Sequence, residues 1–161
     1  MTNARVPDAG FMRRAIELSR EKMDANCGGP FGAVIVKDGR IIAEGWNKVT
    51  SDNDPTAHAE VTAIRAACDK MGSYHLEGCD IYTSCEPCPM CLAAIYWARI
   101  ENVFYANTRA DAAAIGFNDE FLYRELVLPM DSRTIPIRQT LREEAQAAFL
   151  AWQKKTDKTP Y

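Results

Sequence analysis

No stretch of this sequence approaches the roughly 18–20 consecutive apolar residues that a membrane-spanning helix needs, so no membrane partner is expected. The N-terminal run MTNARVPDAGFMRRAIELSREK is polar and lacks the apolar centre of a secretory signal, which leads to the expectation of a cytoplasmic protein. Basic charge is also in short supply: 19 Lys and Arg stand against 22 Asp and Glu, a formal net charge of −3. Polyanion binders draw most of their affinity from phosphate contacts and carry a basic stripe. Here only Lys154, Lys155 and Lys158 gather, which reads as a solvated helix end, so a small substrate is expected and a nucleic acid is not. Repeats, low-complexity tracts and linkers are missing. Histidine is scarce too, with only His58 and His75 available as imidazole ligands.

What is present is the composition of a globular domain: 161 residues, 47% apolar and 25% charged, enough to bury a core without disulfides. One domain over residues 1–161 is expected. Phe11, Met12, Ala15, Ile16, Leu18 and Met23 make a helical stripe over 8–24, with Asp8 as N-cap. AVIVKDGRIIAEG reads as a hairpin turning at Asp38-Gly39. DPTAHAEVTAIRAACDKMG reads as a second helix, capped by Asp54, with Pro55 first and Gly72 ending it. CDIYTS is a short strand, a third helix runs from Pro87 to Ala98, and NVFYAN is another strand. The segment 107–140 is least regular, with TIPIRQTL a candidate edge strand. Leu141, Ala145, Ala148, Phe149 and Trp152 mark a last helix. Helices alternating with strands predict a three-layer α/β/α sandwich around a mixed sheet of about five strands.

Six cysteines in a chain expected to be cytoplasmic read as thiols or metal ligands. CEPCPMC (85–91) has the C-x2-C-x2-C opening of an iron–sulfur run, but position 95 is Ile95 and no cysteine follows Cys91. A closed structural zinc site ordinarily shows a second cysteine pair or two spaced histidines, which this chain does not signal. An open catalytic zinc needs fewer protein ligands, and two thiols, one imidazole and a water position suffice. Cys88 and Cys91 stand three apart in the first turn of a helix, where the thiolate is favoured. His58 and Glu60 are two apart, about 200° around a helix axis, and converge only at a helix end. Two thiolates weaken zinc as a Lewis acid, so a carboxylate beside the water is needed; Glu60, left unligated, serves as the proton shuttle. The backbone N–H groups of Ala59 and Cys88, at helix starts, can steady developing charge. Cys85 reads as a strand-end core thiol, and Cys27, Cys68 and Cys79 as structural.

H-A-E followed by P-C-x-x-C resembles the signature of zinc nucleobase deaminases. Residues 8–110 are similar to the cytidine deaminase-like superfamily. GGPFGAVIVKDG, NDPTAHAEVTAIR, YTSCEPCPMCLAAIYWAR and GFNDEFLY resemble bacterial zinc-dependent guanine deaminases. That resemblance implies one Zn²⁺ on His58, Cys88 and Cys91, and hydrolysis of guanine to xanthine and ammonia with Glu60 moving protons. It further implies that Asn47 donates to the purine, Asp119 accepts from it, Phe31 and Trp97 form apolar walls, and Tyr161 closes the pocket. A homodimer whose C-terminal segment reaches the partner subunit is implied as well. Asn118 departs from the pattern, where a second aspartate is expected. A tRNA adenosine deaminase, a cytosine or aminotriazine deaminase, and a non-catalytic zinc-binding module remain as alternative readings.

Overall fold

Asp8 accepts a hydrogen bond from the Gly10 N–H (2.6 Å) and so caps α1, Ala9–Asp24. The computed structural model describes residues 5–160. The chain then enters β1 (Gly32–Lys37) and turns at Asp38-Gly39, both with positive φ (49° and 71°), the backbone that a two-residue hairpin demands. It returns along β2, Arg40–Trp46. A single turn, α2 (Val49–Asp52), leads to α3 (Ala59–Met71), which ends at Gly72 in the left-handed conformation. β3 (Cys79–Cys85), α4 (Pro89–Trp97) and β4 (Asn102–Asn107) follow. α5 (Arg109–Ala114), α6 (Asp119–Val127), a 3-10 turn at Met130–Ser132 and α7 (Arg142–Lys154) complete the described chain.

The four strands form one mixed sheet in the order β2-β1-β3-β4, antiparallel except for the β3–β4 pair. Side chains of β1 alternate between its two faces. Ala33 and Ile35 join Ala59, Ala63 and Ala67 of α3 and Ile95 of α4 in one buried cluster. Val34 and Val36 join Ala15 of α1 and Tyr82 in the other, with Phe11 and Phe104 packed against it. The sheet is therefore sandwiched between helices, as its alternation with helical stripes predicted.

Two details differ from the sequence-based expectation. The sheet has four strands among the described residues, because TIPIRQTL is irregular. Pro136 has no N–H to give a ladder, and Thr134 gives both its N–H and its hydroxyl to the Glu125 carboxylate (2.8 and 3.0 Å). α3 also begins at Ala59, four residues later than Pro55. Asp54 does not cap it; its carboxylate accepts from the Thr56 N–H and hydroxyl (2.8 and 2.7 Å), closing a local turn instead.

The chain divides into two compact units, the first ending at Tyr123 and the second beginning at Arg124, with the boundary inside α6. The first holds the sheet and both clusters. No helix among the described residues is long and apolar enough to cross a membrane.

Candidate active site

Two helix starts in the first unit are built alike. His58 is the N-cap of α3 and Cys88 the N-cap of α4, both in extended backbone (ψ 159° and 167°), and neither side chain makes a capping bond. An N-cap side chain ordinarily binds the first N–H groups of its helix. Here the imidazole and the thiol are instead turned toward each other. His58, being outside the helical spiral, escapes the 200° separation that would set it against Glu60, and this shared site is a consequence of the delayed helix start. α3 lies tight on the sheet at Gly45, where a Cβ would come within 2.3 Å of the Ala59 carbonyl and the Ala63 N–H. The Thr62 hydroxyl donates to the Trp46 carbonyl (3.0 Å), fastening the first turn of α3 to the end of β2.

His58 Nδ1 lies 3.6 Å from Cys88 Sγ and 3.5 Å from Cys91 Sγ, and the three donors all fall within 4.8 Å of one another. Zinc bonds of about 2.3 Å to sulfur and about 2.0–2.1 Å to nitrogen, set at a tetrahedral angle, separate S and N by roughly 3.5–3.6 Å. One imidazole and two thiols are also the donor types that zinc prefers. The residues fit the ion in both spacing and chemistry. The two sulfurs titrate as a pair: Cys88 is pulled down to about 4, chiefly by the hydrogen bond from Cys91 and also by His58, against its burial. Cys91, donor of that bond, is pushed up by it and by burial.

Glu60 sits in the first turn of α3 with 6% of its surface exposed. Burial pushes its carboxyl well above the usual range. Its Oε1 accepts from the Thr83 hydroxyl (3.1 Å), and the carboxyl also hydrogen-bonds the Cys91 thiol. A carboxyl so desolvated can both take a proton and return it.

These groups border a cavity of about 300 Å³, within the range of small-molecule sites. Asn47, Ala59, Phe31 and Asp119 line it with His58, Glu60 and Cys88. Asn47 Oδ1 accepts from the Gly29 and Val49 N–H groups (3.2 and 3.3 Å), which settles which end of the amide is oxygen and leaves Nδ2 as the donor. Ala59 opens α3, so its N–H has no acceptor within the helix. Asp119 is pushed up by burial first and by the Cys88 charge second. Asn118, at the departure from the family pattern, accepts from the Phe121 N–H (3.3 Å); an amide caps a helix as well as a carboxylate does. Trp97 does not line this cavity. It ends α4 nine residues after Cys88, about 13 Å along the axis, and is 69% exposed. Tyr161 lies outside the described residues.

Several residues of the site were not singled out by sequence, Gly29 of the cavity wall among them. Thr83 is one, and its signal is a hydroxyl in the otherwise apolar row Cys79, Ile81, Thr83, Cys85 of β3. Phe117 meets Phe31 edge-on at 4.8 Å, and it stands two residues before Asp119 in GFNDEF. Tyr123 donates its hydroxyl to the Pro87 carbonyl (2.7 Å), and its ring carries the Arg109 guanidinium at 4.2 Å. Glu86 is committed to Arg109, accepting from its N–H (3.0 Å) and pairing with its Nε (3.2 Å). Local sequence holds no signal for the last two, since their partners lie more than ten residues away. Cys85 donates to the Thr108 carbonyl (3.6 Å), and burial pushes it up to about 11, so it stays a thiol beside the metal donors.

Residues 6–107 match the family described as the cytidine and deoxycytidylate deaminase zinc-binding region. Guanine deaminase of Bacillus subtilis (strain 168) is 58% identical over 151 residues, 94% of this chain and 97% of the relative. A crystal structure of guanine deaminase from Bacillus subtilis superimposes with a TM-score of 0.94 at 56% identity, covering 97% of this chain and 99% of that one. The tRNA-specific adenosine deaminase of Agrobacterium fabrum is 51% identical over 86 residues, but over 53% of this chain and 57% of its own.

Proposed function

The chain belongs to the zinc-binding family of cytidine and deoxycytidylate deaminases, and on that footing we propose that it hydrolyses guanine at C2, giving xanthine and ammonia. The observation that carries this reading is a likeness to guanine deaminase running through 94% of the chain, and so through the Phe117–Asp119 wall as well as the metal site.

One zinc ion per chain is the cofactor, with His58 Nδ1, Cys88 Sγ and Cys91 Sγ as the donors. When bound, the ion supplies the Lewis acid that makes water nucleophilic near neutral pH. Glu60 takes the proton from that water, and oxygen adds to C2. The same carboxyl then returns a proton to the ring nitrogen and moves a second one to the amino group, which departs as ammonia. Thr83 keeps the carboxyl aimed throughout. Asn47 Nδ2 donates to the purine and Asp119 accepts from its N–H groups; these roles tell guanine from a base lacking those donors, because a mismatched base strands buried polar groups. The Ala59 N–H stabilises negative charge as C2 becomes tetrahedral.

A tRNA substrate is disfavoured by the acidic net charge and by likenesses to tRNA deaminases that are weaker and shorter, 51% identity over 53% of the chain and 40% over 71%, than the 58% over 94% shared with guanine deaminase. A purely structural zinc module has no use for a buried carboxyl beside three metal donors. Ammonia release from guanine, adenine, cytosine and an anticodon stem-loop, each with and without a chelator, tests the proposal. Chelator-sensitive release from guanine is expected; release from adenine in the stem-loop alone would overturn it.

The chain works as a homodimer whose C-terminal segment reaches the partner subunit. Supporting this, no described residue after Tyr123 is buried, while Val127, Phe149 and Leu150 are more than half exposed. Light scattering should give twice the 18.0 kDa chain mass. All six cysteines are free, in keeping with a reducing cytoplasm.

A further inference from the structure

We propose that Gly29 sets how large a base the cavity accepts, because the side chain it lacks is room that the substrate ring uses. The inference rests on the guanine reading. Gly29 lines the cavity beside Phe31, Asn47 and Phe117. A Cβ placed on it would stand 3.5 Å from Phe31 Cδ2, 3.5 Å from Phe117 Cζ and 3.6 Å from Asn47 Cγ. Those are ordinary van der Waals distances to three side chains of the cavity wall, with no backbone atom among them. Gly29 is not among the residues with positive φ, so alanine adopts its backbone without strain. Its neighbour is different: Gly28 has φ 148°, and a Cβ there would overlap the Asn47 carbonyl oxygen at 1.8 Å. One glycine of CGGPFG is thus imposed by the fold and the other is not.

Gly29 contributes two backbone groups to the fold: its N–H holds Asn47 Oδ1, and its carbonyl accepts from the Phe31 N–H (2.8 Å). Any residue but proline keeps both bonds. A methyl group at 29 therefore leaves the Asn47 amide in place and is felt in the cavity. Phe31 and Phe117 already touch edge-on at 88°, so the methyl fills the angle between two rings in contact and the lost volume falls on the ligand.

The test is a series, Gly29→Ala, Gly29→Ser and Gly29→Val, in the full-length zinc-loaded protein. Zinc content and thermal midpoint should match the parent, while kcat/KM for guanine falls roughly 10–200-fold for Gly29→Ala and further for Gly29→Val, chiefly through KM. Values within twofold of the parent across the series would overturn the proposal, as would losses that track zinc or midpoint. Calorimetric binding of guanine in a Glu60→Gln background reads the same room without turnover. A parent that binds guanine but releases no ammonia fails the guanine-deaminase reading alone. Equal guanine affinity with and without Gly29→Ala fails this one alone, and a parent that binds no guanine fails both.

Discussion

The unit ending at Tyr123 and the unit from Arg124 onward differ in what they bury. The first closes both faces of its sheet, with Ile35, Ile81 and Leu76 sealed on one side and Val34 and Tyr82 on the other. The second has helical periodicity in α7 but no buried residue among those described, and Phe149 is 72% exposed. Periodicity alone makes a helix; only a facing surface makes a core. The first unit holds both buried clusters and the candidate site, whereas the second has apolar surface that only another surface can satisfy.

The largest effect that sharpens this contrast lies in the first unit. Cys88→Ala should lose zinc and activity together, measured by metal analysis and ammonia release, because the remaining imidazole and thiol are too few to hold the ion. Normal zinc content in that variant would mean the ligands lie elsewhere. Glu60→Gln should retain zinc and lose at least about 10²–10⁴-fold in kcat, the usual weight of a general acid–base. Next comes a matched pair. Ile81→Ala should cost about 2–5 kcal/mol in denaturant unfolding, since the site is wholly buried. On the proposed homodimer, Phe149→Asp should leave the first unit's unfolding midpoint in place and shift the sedimenting species from two chains to one. Equal costs for the two would break the comparison. The smallest effect is on acid stability. Arg14 holds Glu44 through two bonds (2.7 and 2.9 Å) and keeps its carboxyl below the ordinary value of 4.5. That contribution is complete above pH 4.5 and disappears as pH falls through the lowered value. Glu44→Gln should therefore flatten the acid limb by ~0–1 kcal/mol, leaving stability below that range unchanged.

How far sequence alone reached follows the same division. The hairpin was legible because Asp38-Gly39 states its turn locally, and α1 because Asp8 and a clean stripe mark its start. The metal donors were legible because His58, Cys88 and Cys91 advertise their chemistry by type and spacing, though the start of α3 was misplaced by a proline that serves a turn. Asp54 and Pro55 look like helix openers, and only the competing bond to Thr56 shows otherwise. Thr83, Glu86 and Tyr123 escaped because what defines them is a partner distant in sequence. TIPIRQTL misled because alternation suggests a strand even where, among the described residues, no strand pairs with it.

The bond from the Tyr123 hydroxyl to the Pro87 carbonyl has a consequence for how such an enzyme can change its diet. Pro87 immediately precedes the first sulfur donor, and Tyr123 lies one helical turn past Asp119. The stretch proposed to read the base is thereby bolted to the stretch that carries the first sulfur donor. A swap of residues 117–123 meant to admit a new substrate must bring a hydroxyl to the same place or loosen Cys88, so selectivity and metal retention are inherited as one trait.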